Sequence, residues 1–190
     1  MLIRTQRLSD DLLLGLWRLP ADTPRGAKRQ QERAAAHSLL AAMLGRPVAI
    51  LHDADGAPRV EGHQISISHT RGFLAILLSR SRRVGVDIEY RSDRIRRIAS
   101  RFLRPDECAG STDDLLTCWC VKEAVYKLRS ASHLAYDQMR VPLDSATADD
   151  LLAADSLSFG REITPDYVLV WTSELHGAFL SSIDFLSSKM

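Results

Sequence analysis

The sequence predicts an α+β fold. Short runs of alternating or β-branched residues, bounded by turn residues, lie in both halves of the chain, and two longer segments carry the apolar period of helices. In addition, "TRGFLAILLS" (Thr70 to Ser79) and "LHGAFLSSID" (residues 175–184) close the two halves with similar small-then-apolar patterns, which hints at a duplicated α+β unit. With 190 residues the chain buries a real core, as one large domain or two small lobes. Its 45% apolar and 26% charged residues match a soluble globular protein rather than a disordered or membrane-spanning one. The apolar run Leu12 to Leu19 is broken by Gly15 and Arg18 and follows Asp10 and Asp11, so it is too short for a membrane span and lacks the basic start of a signal peptide. Lys plus Arg number 25 against 24 Asp plus Glu, a balance that does not point to nucleic acid. Cys108, Cys118 and Cys120 are too few for a disulfide framework, and C-x-C on a helix points its two thiols apart, so a reducing cytoplasm is the simplest setting.

The first element is an opening strand marked by Leu12, Leu14 and Leu16, ending at Pro20. After the loop "ADTPRG", residues 27–44 form a helix with Ala35, Leu39, Leu40 and Met43 on one face, closed by Gly45. Lys28, Arg29 and Arg33 crowd the helix start, where cations are unfavourable unless an anion meets them. A solvated face beside Glu32 is the other reading. Short strands follow at Val48 to Leu51, Arg59 to Val60, Ile65 to Ser68 and Phe73 to Leu78. "DADG", Asp53 to Gly56, resembles the start of a calcium loop but lacks the later acidic ligands, so it reads as a turn.

The strand "RVGVDIEYR" (Arg83 to Arg91) poses a problem. Alternation puts Asp87 and Glu89 side by side on one face, with Val86 and Ile88 on the other. Two adjacent carboxylates repel unless a cation lies between them. Next comes an amphipathic helix, residues 93–103, with Ile95, Ile98 and Phe102 on its apolar side. Arg94, Arg97, Arg101 and Arg104 fall within roughly 80° of arc on an α-helix. Six arginines against one acid between Arg91 and Arg104 suit either a solvated face or an acidic partner. A second helix, residues 113–128, starts at a "STDD" cap and carries "CWCVKEAVYKL". Trp119, Glu123 and Lys127 share one face at i, i+4, i+8, and Lys122 lies on a neighbouring stripe. "MRVPL", "LSFGREI", "YVLVW" and "AFLSSIDFL" complete the chain as strands, with a polar segment from Ser145 to Asp150 among them. Two readings fit the charged residues: a structural network, or three carboxylates holding a hard cation such as magnesium, with lysines meeting phosphate charge.

"ISISHT" (Ile65 to Thr70), "VGVDIE" (Val84 to Glu89) and "WCVKEAVYKL" (Trp119 to Leu128), in this order and spacing, resemble the three motifs of the 4'-phosphopantetheinyl transferase superfamily. Chain length resembles its monomeric, surfactin-synthetase-activating type. The resemblance implies two similar α+β lobes related by a pseudo-twofold, each a small, mostly antiparallel sheet packed with helices, here residues 1–83 and 84–190. It also implies transfer of the phosphopantetheine arm of coenzyme A to a serine of an apo acyl or peptidyl carrier protein, releasing adenosine 3',5'-bisphosphate. Carried over by position, Asp87, Glu89 and Glu123 hold magnesium; His69 and Lys122 contact phosphates, with Lys28, Arg33 and Arg59 as further coenzyme A contacts. Lys127 relieves the leaving phosphate, and Glu123 is the base, directly or through a water it orients. Carriers of this kind are acidic, which gives Arg94, Arg97 and Arg101 a docking role.

Two positions depart from the family pattern. Ala57 stands before Pro58 where family members often have a basic residue, and His37 stands where the N-terminal helix often presents an arginine. Both touch the expected 3'-phosphate contacts rather than the metal. The alternatives are a non-catalytic coenzyme A or carrier-binding protein of the same fold, and a metal-dependent phosphoesterase that passes the group to water.

Overall fold

The leucine alternation near the start is one arm of a hairpin rather than a lone opening strand. In the computed structural model, which describes residues 1–20, 24, 26–107 and 109–174, β1 (Leu2–Arg7) pairs antiparallel with β2 (Leu12–Arg18). The helix expected next is α1 (Lys28–Leu44), closed by Gly45 at φ 71°. Its first turn holds no acid and its N-cap no side-chain hydrogen bond, and the basic start is met along the helix by Glu32, 3.7 Å from Lys28 Nζ. Val48 to Ile50 are not in a strand; only β3 (Leu51–His52) is, paired with β4 (Pro58–Arg59). Between them, Asp53 Oδ1 accepts the N–H groups of Asp55 and Ala57, which makes "DADG" the expected turn. β5 (Gln64–Thr70) and β6 (Phe73–Ser79) finish a sheet of order β1-β2-β6-β5.

β7 (Val84–Tyr90) opens a second sheet. After it comes a 3-10 turn over Asp93–Ile98 and a single turn α2 (Ala99–Phe102), not the continuous helix expected. The tighter rotation per residue changes the arginine stripe: Arg94 and Arg97 eclipse, and Arg104 turns away to pair with Asp106 at 2.9 Å and to donate to the carbonyl of Asp137. Helix α3 (Thr112–Leu128) starts where the cap predicted, with Ser111 and Asp114 closing a capping box. Then follow β8 (Met139–Arg140), β9 (Thr147–Asp150), β10 (Asp155–Ile163) and β11 (Tyr167–Ser173), in the order β7-β11-β10-β9-β8. The polar segment read as a separator thus contains a strand. Its Ala148 and Asp150 are buried while Thr147 and Asp149 face outward, an alternation hidden by the acidic residues. "AFLSSIDFL", the second arm of the suspected repeat and Cys108 lie outside the described residues.

Three apolar clusters set the layers. Leu39 and Leu40 of α1 meet Leu74, Ile76 and Leu78 on one face of the first sheet. Leu14, Leu16, Phe73, Ala75 and Leu77 on its other face meet Val84, Val86, Ile88, Tyr167 and Leu169 of the second sheet. Val121, Val125 and Leu128 of α3 meet Val168 and Val170 on the far face. The order is therefore helix, sheet, sheet, helix. Among the described residues no helix is long and apolar enough to cross a membrane. Cys118 and Cys120 are free and buried in the α3 cluster, where desolvation pushes the Cys118 thiol up to about 12.

Gly85 lets α3 lie close on β7: a methyl there would land in the carbonyl of Ala124, whose backbone cannot yield. Gly15 faces only the flexible side chains of Met43 and Leu39. In urea unfolding, Gly85→Ala is expected to cost at least the ~1–3 kcal/mol of overpacking, and Gly15→Ala less; equal midpoints for the two variants would contradict the close contact.

Candidate active site

β7 carries Val84, Val86 and Ile88 into the apolar cluster between the sheets, so alternation turns Gly85, Asp87 and Glu89 toward α3. There the cation demanded by the carboxylate pair is found. Lys127 Nζ donates to Asp87 Oδ1 at 2.7 Å and to the carbonyl of Val86 at 3.1 Å. Ser68 Oγ donates to the same Asp87 oxygen at 2.7 Å, and Thr70 Oγ1 donates to Glu89 Oε2 at 2.8 Å. The Trp119 ring packs edge-on against Phe102 with centroids 5.2 Å apart. Glu123 accepts from the hydroxyl of Tyr136 at 2.7 Å.

The compensation is incomplete. Asp87 is only 4% exposed, and its Oδ2 is buried without a hydrogen-bond donor. Desolvation, and then the charge of Asp87, push the Glu89 carboxyl above its ordinary pKa; desolvation and Asp87 do the same to Glu123. Raised carboxyl pKa values mean that the folded chain holds these protons more tightly than the unfolded chain does. Their stabilising contribution is fully present below the unfolded value and lost as pH rises through the folded one, so at neutral pH the ionised cluster costs stability. Among the described residues no three Asp, Glu, His or Cys side chains are already gathered closely enough to form a metal cage. The chemistry of the set nonetheless fits a hard divalent cation: three carboxylates, one orphaned buried oxygen and two carboxyls that burial holds against ionisation.

The other expected residues fall in three places. His69, on β5, lines a cleft of 720 Å³ between α1, the β3–β4 hairpin and β5, together with Arg29, Arg33, His37 and His52. Glu32 reaches into this cleft, its Oε1 3.3 Å from His69 Nδ1 and 3.7 Å from Lys28 Nζ. Arg59 lines a separate groove of 500 Å³ that reaches Lys127, and its guanidinium is folded back on Asp53 at 2.6 Å. Lys122 lines neither of these clefts. It is fully buried, and its ammonium donates to Glu107 Oε2 at 2.7 Å and to the carbonyls of Phe102 and Tyr136 at 2.7 and 3.1 Å. All three protons are spent inside the protein, so the phosphate contact expected of Lys122 is corrected to a structural role. On α3 it sits one residue before Glu123, about 100° round the helix and facing the core beneath α2.

Ser68, Thr70, Tyr136 and Glu107 escaped the sequence reading. Alternation along "ISISHT" offered a signal for the first two, because Ser66, Ser68 and Thr70 share a face. Nothing local announced Glu107, which also accepts the N–H groups of Arg104 at 2.8 Å and Val141 at 2.7 Å. Removing it strands a buried ammonium, and burial already holds the Lys122 pKa low. In chemical denaturation, Glu107→Ala should cost about 3–5 kcal/mol, and Lys122→Met, which fills the same space without charge, clearly less. The reverse order would return Lys122 to a role outside the core.

No curated protein matches the chain. Residues 83–175, which span β7 to β11 and hold Asp87, Glu89, Glu123 and Lys127 on one face, match the family model of the 4'-phosphopantetheinyl transferase superfamily.

Proposed function

We propose that the protein is a magnesium-dependent 4'-phosphopantetheinyl transferase of the monomeric, surfactin-synthetase-activating type, moving the phosphopantetheine arm of coenzyme A to a serine of an apo carrier protein. One observation carries this reading: within the segment that matches the superfamily, Asp87 and Glu89 of β7 face Glu123 and Lys127 of α3, Lys127 donates to Asp87, and the other Asp87 oxygen is buried without a donor. The superfamily match supports a transferase in general. In this reading the chain divides into lobes 1–83 and 84–190, works in the cytoplasm and acts as a monomer.

Asp87, Glu89 and Glu123 would hold the magnesium ion, which supplies charge neutralisation for the pyrophosphate of coenzyme A. The basic cleft takes the nucleotide. His69, Lys28 and Arg33 face its phosphates, and Arg59 joins them once released from Asp53. Glu123 accepts the proton of the carrier serine as its oxygen attacks the phosphorus bearing the pantetheine arm. The bond from that phosphorus to the adenosine phosphate breaks. Lys127, freed from Asp87, meets the charge that develops on the departing adenosine 3',5'-bisphosphate. Lys122 has no part in these steps; it fixes the helix that presents Glu123 and Lys127.

Arg94, Arg97 and Arg101 are exposed and pair with no acid among the described residues, which suits an acidic carrier. Reversing them to glutamate should raise the carrier KM and flatten its salt dependence while the coenzyme A KM stays put; an unchanged carrier KM would remove the docking role. The decisive test is the intact mass of an apo carrier protein after incubation with coenzyme A and magnesium. A gain of one phosphopantetheine, abolished by chelation and by Asp87→Ala, is expected. Free phosphopantetheine released without a carrier would indicate a phosphoesterase, and coenzyme A binding without transfer would indicate a binding protein.

A further inference from the structure

β5 and β7 are edge strands of different sheets and share no backbone ladder. Each would leave a row of main-chain groups unpaired in the interior, at a cost of ~1–3 kcal/mol per group. Ser66, Ser68 and Thr70 fill the gap. The N–H of Val86 donates to Ser66 Oγ at 3.0 Å, that of Ile88 to Ser68 Oγ at 3.3 Å, and that of Tyr90 to Thr70 Oγ1 at 3.2 Å. Each hydroxyl then has one proton left to give. Ser68 gives it to Asp87 and Thr70 to Glu89; Ser66 gives none to a carboxylate among the described residues.

A hydroxyl that accepts from a fixed backbone N–H and donates to a carboxylate is held at both ends. Its orientation is therefore set by the strand, and the carboxylate's orientation by the hydroxyl. We infer that Ser68 and Thr70 are positioning residues for divalent-cation binding: each fixes one carboxylate oxygen, of Asp87 and of Glu89, and Asp87 Oδ2 is left without a donor and open to the ion. The inference rests on the transferase reading. It makes the strand that lines the nucleotide cleft through His69 the same strand that presets the metal ligands through its other face.

Ser66 is a built-in control, since its loss removes a strut between the sheets without touching a carboxylate. Magnesium or manganese alone is titrated into wild type, Ser66→Ala, Ser68→Ala, Thr70→Val and Thr70→Ser, reading the thermal unfolding midpoint. Carrier loading at saturating coenzyme A is then followed against metal concentration. Ser68→Ala and Thr70→Val should raise the half-saturating metal concentration on the order of tenfold, and Thr70→Ser should restore it. Ser66→Ala should lower the metal-free midpoint yet keep the wild-type half-saturation. If Thr70→Val does not fold, Ser68→Ala against Ser66→Ala decides. Wild-type half-saturation in Ser68→Ala would overturn the inference. A wild-type protein that neither shifts with metal nor loads a carrier would overturn the transferase reading instead.

Discussion

The structure turns on how β5 and β7 are joined. Sheet edges carry unpaired amides, and proteins usually shield them with charge, bulges or covering loops. Here the N–H groups of Val86, Ile88 and Tyr90 end on three hydroxyls from the neighbouring strand. The joint keeps Val86 and Ile88 packed against Leu14 and Leu77, and holds Asp87 and Glu89 beneath α3. A backbone ladder would have satisfied the amides equally well. It would not have supplied side-chain protons for the carboxylates.

Charge in the interior is handled in two ways. Lys122 with Glu107, and Arg129 with Asp150 and Asp155, are closed networks that tie the end of α2 and the β9–β10 hairpin to α3. Paired charges of this kind add little net stability, but they cannot be left half-made, so they lock the register of what they join. The Asp87 cluster is different because its anions outnumber its cation. Lys127 answers Asp87, while Glu89 and Glu123 rely on neutral donors from Thr70 and Tyr136. A deficit of positive charge is a poor way to build a core and a reasonable way to build a site.

Much of this was legible in the sequence. Alternation alone placed Asp87 and Glu89 on a common face, and helical spacing put Glu123 and Lys127 on the side of α3 that meets them. The cap at Ser111 located the start of α3 to within a residue. Lys122 was misread because the motif places it beside Glu123, whereas its partner Glu107 comes from a loop that no periodicity reveals. The segment after β7 was misread as one helix because Ile95, Ile98 and Phe102, spaced three and four apart, fit a continuous α-helix as well as a 3-10 turn followed by one α turn. β9 was missed because two of its four residues are acidic; Asp150 goes inside because Arg129 and the N–H groups of Leu152 and Ala153 meet it there.

The apolar layer between the sheets draws on both halves of the chain. Leu14, Leu16, Phe73 and Leu77 come from one and Val84, Val86, Ile88, Tyr167 and Leu169 from the other. Neither half owns a complete inner face, so neither can shed the other without wetting a continuous hydrocarbon surface. The stretch that carries the superfamily signature is therefore a chemical unit and not a mechanical one. Its carboxylate-bearing face exists only while the first eighty or so residues hold its back dry.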